Sequence, residues 1–522
     1  MEQNSLFKLF ITNIVFAILI TCLNLPIYAS ITESTNTGSI TVKGLESGVT
    51  VNAYRLTTVN YNYTADQPES TTYTWNNNVK TWIDNNYSDY SDPQKFFESV
   101  ESNSEVAKEF YSKLASAIKG GTITLTPKKQ EVQGTPSYPV TDSKLKNSVT
   151  FENCQMGTYL ILIENGYMIY TPSVINLTPS YNNTSKEWEL KSPIEVTLKA
   201  TRPQVTKKIT DEVKVDDNYG SKDDILFTIV GDIPNYEEGS TVTNYYISDV
   251  LSSALTLKSD SIEIYGVNGS TTTKLATGFT ITTANAKRPN NLGDATFSIQ
   301  FNYNDIKLYE KIKVIYKTKL SKSDSTKIGS EGNSNTVYFD YSNNPYDATS
   351  FTTQESKAKV YTYGVEITKV DKKDTTKTLT GAQFSLLSEG NTLYFVKTGD
   401  GVYYEANSTD DGATTILAVD NQGKLHINGL DEGTYSLKEL KAPNGYNVAT
   451  EDQEIVILDH NLDGNIDDTT SGIFSVTLPN SQGFQLPVTG GVGTIIFISC
   501  GVVLIGIGVI LLIVALKKKK KW

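Results

Sequence analysis

A 22-residue apolar run, Ile495 to Leu516, is followed at once by five lysines, Lys517 to Lys521. At about 1.5 Å of rise per helical residue the run just crosses a bilayer core of about 30 Å. Backbone amides in hydrocarbon must pair within their own segment, so this stretch can only be a helix. The lysines cannot follow it cheaply and hold the cytoplasmic side. The N-terminus adds a matching constraint. Lys8, opposed by Glu2, precedes an apolar segment from Leu9 to Leu23, and Ile27-Tyr28-Ala29 supplies a small residue before Ser30. That pattern predicts a secretory signal peptide over residues 1–29. What lies between the two segments is therefore expected to fold outside the cell.

Composition narrows the chemistry of that outer part. The chain has 46 basic and 58 acidic residues; setting aside Lys8, Lys517–Lys521 and Glu2 leaves 40 against 57, a net charge of about −17. Such a surface repels nucleic acid and anionic membrane, so neither is an expected partner. Cys22 falls in the leader and Cys500 in the apolar run, which leaves Cys154 alone and excludes an intramolecular disulfide. There are only two histidines, His426 and His460. A Cys–His or Ser–His–Asp enzyme has little to be built from, no cofactor is called for, and turnover catalysis is not expected. Stability has to come from hydrophobic cores or from another kind of crosslink.

Short alternating segments rich in Thr, Tyr, Val and Ile, separated by Gly, Asn, Asp and Pro, predict a mainly β chain of sandwich domains in series. The length suggests three. The first, residues 30–200, opens with a strand pair around Ser39–Val42 and Thr50–Tyr54 and closes with strands near Thr158–Ile163, Ser173–Leu177 and Ile194–Leu198. One helical region lies between: Asp92-Pro93 supplies the cap, Val106, Phe110, Leu114 and Ile118 recur every four residues, and Gly120-Gly121 ends the helix. This domain is expected to be α+β. The second, residues 201–361, is entered through Arg202-Pro203 and left near Asn343-Asn344-Pro345. It and the third, residues 362–482, read as all β, and residues 483–522 form the tail.

Residues two apart on a strand share a face, so strand phase shows which polar groups point inward. Lys369 shares a face with Val365 and Ile367, Glu439 with Tyr435 and Leu437, and Asn480 with Phe474, Val476 and Leu478. In the second domain Lys207 lies in phase with Val205 and Ile209, Asp249 with Tyr245 and Ile247, and Asn335 with Val337, Phe339 and Tyr341; Lys208 falls on the opposite face. Left unpaired, each such burial would cost several kcal/mol. A buried Lys–acid ion pair with Asn as a hydrogen-bond partner is one resolution. Lys199 is the reverse case: Ile194, Val196 and Leu198 turn inward, which turns Lys199 outward with Glu195 and Thr197.

Leu486-Pro487-Val488-Thr489-Gly490, the apolar run and the lysine tail resemble the LPxTG sorting signal of Gram-positive surface proteins. Tyr435–Tyr446 resembles the E-box of Cna protein B-type domains, YxLxETxAPxGY, with Leu440 where Thr is usual. Leu379–Leu386 resembles the same family's LxGAxFxL segment. Trp188 followed by Ile194–Lys199 is similar to the pilin motif WxxxVxVYPK, with Thr197 and Leu198 in place of Tyr and Pro. Together the series resembles the backbone, or major, pilin of sortase-assembled pili.

That resemblance implies tandem immunoglobulin-like and Cna-type sandwiches and a set of roles. A pilin-class sortase would cleave between Thr489 and Gly490 and join Thr489 to Lys199 of an identical subunit, with Lys191 as the second candidate. Lys207–Asn335 and Lys369–Asn480 would form spontaneous isopeptide bonds, promoted by Asp249 and Glu439. The finished polymer would be attached to peptidoglycan, with a housekeeping sortase, ancillary pilins and a host ligand as further partners. The rival readings are a wall-anchored monomeric adhesin or ancillary pilin and, less well supported, a wall-anchored hydrolase. Asp459–Asp467 opens like a calcium loop, D-x-N-x-D-G, but position twelve is Thr470 and no helices flank it, so a polar turn competes with a cation site.

Overall fold

The computed structural model of the chain describes residues 37–519 apart from 61–62, 65–66, 69–70, 103, 136–144, 183, 185–186, 210–213, 237–238, 459–471 and 484–491. The leader, the Asp459–Asp467 loop and Leu486–Gly490 lie outside the described residues. The protein is mainly β, with sheets following one another along the chain.

In the N-terminal unit a three-stranded sheet (Ile194–Thr197, Thr37–Leu45, Asn147–Gln155) faces a four-stranded one (Ser173–Leu177, Gly157–Glu164, Thr50–Arg55, Lys128–Glu131). The strands at Thr37–Leu45 and Thr50–Arg55 succeed each other but enter opposite sheets, so the expected opening pair is not a hairpin. Gly157–Glu164 is apolar at nearly every position because both its faces are covered. Ile161 and Ile163 fill the sandwich core, while Leu160 and Leu162 meet a layer of helices.

Three helices make that layer: Asn77–Asn86, Pro93–Ser99 and Glu105–Lys119. Asp92-Pro93 starts the short middle one, and Ser104 caps the long one by accepting from the Ala107 amide. The buried row runs through Ala107, Phe110, Leu114 and Ile118, whereas Val106 is half exposed.

The middle unit packs a five-stranded sheet (Val205–Ile209, Ile225–Asp232, Lys311–Leu320, Leu255–Asn268, Thr271–Lys274) on a six-stranded one. The latter runs Asp216–Asn218, Thr352–Tyr361, Asn333–Tyr341, Tyr245–Leu251, Phe297–Phe301, Phe279–Thr282. Phe227, Phe297, Tyr316 and Phe339 lie in the core between them. In the third unit Tyr363–Asp371 pairs in parallel with Ile473–Asn480, and their sheet packs on one containing Gln383–Ser388, Gly433–Lys441 and Gln453–Ile457.

The units are joined by specific contacts. Tyr346 of the middle unit enters the helical cluster of the first, and the Ser221 amide donates to the Gly429 carbonyl at 2.7 Å. Val492–Lys519 is one helix; Phe497–Lys517, with mean hydropathy 3.0, is the one candidate membrane span among the described residues.

Candidate functional site

The middle sandwich encloses a polar constellation in its core. Lys207 comes from the five-stranded sheet; Asp249 and Asn335 come from adjacent antiparallel strands of the facing sheet, where Leu251 pairs with Asn335. All three side chains are fully buried. Lys207 Nζ donates to Asp249 Oδ2 and, at 2.6 Å, to the hydroxyl of Tyr316, which accepts a second bond from Asn335 Nδ2 at 2.8 Å. The rings of Phe227 and Tyr316 stand 5.2 Å from Lys207 Nζ and keep water out.

Burial disfavours charge on every member. It pushes the Lys207 ammonium down to about 8 against the pull of Asp249, pushes Asp249 up against the pull of Lys207, and raises the Tyr316 hydroxyl well above its usual range. Asp249 Oδ1 and Asn335 Oδ1 have no hydrogen-bond partner among the described residues. Tyr316 is the member that strand phase did not single out. Its signal was available, since Ile312, Val314, Tyr316 and Thr318 alternate inward, but an inward tyrosine on such a strand reads as ordinary core.

The third unit builds the same trio differently. Lys369 and Asn480 stand on neighbouring parallel strands of one sheet, where Lys369 pairs with Leu478 and Asp371 with Asn480. Glu439 reaches them from the facing sheet. Lys369 Nζ lies 3.1 Å from Glu439 Oε1, and Asn480 Nδ2 donates to both oxygens of Glu439 at 3.1 and 3.0 Å and to the Asn447 carbonyl at 2.8 Å. The Ala449 amide donates to Glu439 Oε2 at 2.7 Å, and Phe384 lies under the ammonium at 5.6 Å. Burial lowers the Lys369 ammonium, opposed by Glu439. Asn480 Oδ1 is left without a partner among the described residues. A cleft of about 480 Å³ opens beside the trio, walled by Asn447 to Gln453.

Chemically, each constellation sets a desolvated amine, a carboxyl group and a carboxamide into one apolar enclosure. A neutral amine there is a nucleophile, and a protonated acid can polarise an amide carbonyl. Lys208, on the same strand as Lys207, is half exposed on the other face. Lys199 is exposed just after the Ile194–Thr197 strand, while Leu198 before it is buried. It stands at the rim of a groove of about 700 Å³ between the helical layer and the sheet, lined also by Phe97, Tyr111, Val174 and Thr197. Lys191 is likewise exposed.

Residues 363–470 match the model of a prealbumin-like fold domain designated SpaA. The trypsin-resistant surface T6 protein of Streptococcus pyogenes serotype M6 is 27% identical over 333 residues, which take in 59% of this chain and 57% of that protein. Among solved structures, the T6 backbone pilin of serotype M6 S. pyogenes aligns over 86% of this chain and 99% of its own, with a TM-score of 0.58 at 19% identity. It is described as a modular three-domain structure with variable loops and extensions. The full-length major pilin SpaD of Corynebacterium diphtheriae aligns over 87% and 100%, with a TM-score of 0.51 at 18% identity. The major pilin SpaA of the same organism aligns over 85% and 100%, with a TM-score of 0.50 at 14% identity, and is described in terms of modular pilus assembly and stabilizing isopeptide bonds. The chain is homologous to the T6 protein and has the fold of Gram-positive backbone pilins.

Proposed function

We propose that the chain is a backbone subunit of a covalent pilus: a structural protein and sortase substrate whose own catalysis is limited to crosslinking itself. The observation that carries this reading is the occurrence, within a pilin fold, of two buried Lys–acid–Asn trios. In each trio the lysine Nζ attacks the side-chain carbonyl carbon of Asn335 or Asn480. The new C–N bond replaces the C–NH₂ bond, the acid passes the amine's proton to the departing group, and ammonia leaves. No oxidant or reductant is needed.

Polymerisation uses a lysine at the junction of the first two units and the threonine beyond the third. A sortase takes the Thr489 carbonyl as an acyl-enzyme, releasing the segment from Gly490, and Lys199 of the next subunit displaces the enzyme. Tension entering at Lys199 and leaving at Thr489 then crosses the 207–335 and 369–480 bonds in turn, bypassing both sandwiches. The N-terminal unit lies off that path, so it can do without such a bond. Anchoring of the finished polymer to peptidoglycan follows from the same signal.

Intact-mass measurement of the extracellular part should show a deficit of two ammonia molecules, and an unmodified mass would overturn the crosslinks. In wall extracts of the producing cells, a high-molecular-weight ladder should be present and should collapse with Lys199→Ala. A ladder that survives moves the acceptor to another lysine, with Lys191 the next to test. The lack of any ladder in the unmutated strain makes the chain a monomeric adhesin or ancillary pilin.

A further inference from the structure

The outer face of the middle unit carries a groove of about 940 Å³ that shares no lining residue with either trio. Its floor is a row across the six-stranded sheet, in which Tyr246, Gln300 and Thr280 are neighbours on successive strands. The rings of Tyr246 and Phe351 lie 6.5 Å apart at one end, while the ring of Phe279 turns inward against Phe301 and the core. Thr243, Asn244, Thr280 and Gln300 supply hydroxyls and amides beside the Tyr246 and Phe351 rings. Asp305 is the one acid, and there is no base, among the described lining residues.

That lining discriminates between ligand classes. Without a cation it has nothing to hold a phosphate, sulfate or carboxylate. Flat apolar rings beside neutral donors and acceptors suit a ligand with one C–H-rich face and a rim of hydroxyls. A single carboxylate can take two such hydroxyls as donors. Gly278 lets Asp305 approach: its φ is +88°, and a Cβ there would meet Asp305 Cβ at 2.9 Å.

The wall of the groove is fixed in advance. Pro289 and Asn290 line it, and Arg288 just before them reaches under the loop to the sheet. Its Nη2 and Nε donate to Asp340 Oδ1 and Oδ2 at 2.8 and 3.1 Å, and Nη2 also donates to Thr353 Oγ1 at 3.0 Å. The guanidinium stacks on Tyr338 at 3.9 Å. A buried ion pair of this kind adds little to fold stability, because desolvation offsets its attraction. What it does is place a loop whose Asn290 and Asn291 are held at φ of 51° and 57°. A wall ordered before binding removes part of the entropic cost of holding a ligand.

We infer that this groove binds a neutral oligosaccharide, with Tyr246 stacked on a sugar face and Gln300, Thr280 and Asp305 holding its hydroxyls. In a polymer the site would repeat once per subunit, so weak single-site binding adds up by avidity. Neutral sugar could come from a host glycan or from the producing cell's own wall polysaccharide.

The test uses the full chain, fluorescently labelled in a detergent without a sugar headgroup, on a glycan microarray. The array carries galactose-, glucose- and mannose-terminated neutral glycans, sialylated and sulfated glycans, and the producer's wall polysaccharide. Signal is expected on neutral spots of one of the two sources, which identifies the source. Gln300→Leu, with an unchanged melting temperature, and Tyr246→Ala should each weaken it by about tenfold or more. No neutral binding, binding only to charged glycans, or binding indifferent to Gln300→Leu and Asp305→Asn would overturn the inference. None of these outcomes bears on the ladder or on the ammonia deficit.

Discussion

The two buried trios contain the same chemical groups in different architectures. In the middle unit lysine and asparagine face each other across the sandwich, so a bond between them would staple sheet to sheet in the dry core. In the third unit they are neighbours on parallel strands, so a bond would lock first strand to last within one sheet, beside an open cleft. The polar environments differ accordingly. Asp249 has one buried oxygen unpartnered, and a tyrosine hydroxyl links amine to amide. Glu439 is held by a backbone amide, Asn480 and Lys369 together. The middle trio therefore depends on its own members for neutralisation, and the third can draw on water and backbone.

The largest expected effect follows from that difference. Asp249→Ala leaves an amine buried against Phe227 and Tyr316 without its acid, and breaking a buried pair in this way costs about 3–5 kcal/mol. Glu439→Ala should cost less, since water in the adjoining cleft can reach Lys369. Each variant should retain one ammonia more than the parent protein, and urea midpoints should order them with Asp249→Ala lower. Equal midpoints would erase the distinction between dry and wet trios.

Tyr316→Phe sharpens the comparison without removing a charge. It deletes the hydroxyl that Lys207 and Asn335 share, leaving their N–H groups short of an acceptor at about 1–3 kcal/mol. We expect the middle ammonia loss to slow during the first folding of newly synthesised chain while the third proceeds unchanged, as followed by time-resolved mass spectrometry after a pulse label. A uniform slowing of both would mean that Tyr316 acts on folding, not on the trio.

Much of this was legible because strands have a period of two. A lysine at 207 or 369, flanked by Val and Ile in phase, can only point inward once the strand exists. What phase cannot show is which sheet a strand joins, and so Tyr316 passed as core and the opening strands as a pair. The helical layer was legible in part, through Asp92-Pro93 and the row ending at Ile118. A spacing of four drifts against the 3.6-residue turn, so Val106 leaves the buried row and Ala107 takes its place. Asn77–Asn86, for which no helix is expected from the sequence, folds because Asn76 caps it and Val79 and Ile83 have a sheet to pack on.

A smaller effect concerns pH. In Asn335→Ala the amine persists and no bond can form. Lys207 is lowered from 10.5 to about 8, so between those values the unfolded chain binds a proton that the folded one has released. The penalty is complete below about 8 and is relieved as pH rises toward 10.5, so stability should climb across that window, by at most about 1.4 kcal/mol per pH unit. Asn480→Ala should climb in the same sense over a narrower range, because its lysine borders the cleft. A flat profile for Asn335→Ala would show Lys207 to stay charged in the core.

The smallest effect is the most local. Lys208 is one residue from Lys207 but on the other face, and Lys438 stands in the same relation to Glu439. Replacing either with Ala removes a surface group, which should change stability by no more than about 0.5 kcal/mol and leave both ammonia deficits intact. The converse is the stricter test. In Lys207→Ala the remaining Lys208 cannot take over, because reaching the core would require a one-residue slip that turns Val205 and Ile209 out to solvent. An ammonia deficit that persists in Lys207→Ala would mean that the amine is supplied from outside the strand's inward face, and the phase argument for the middle trio would fail.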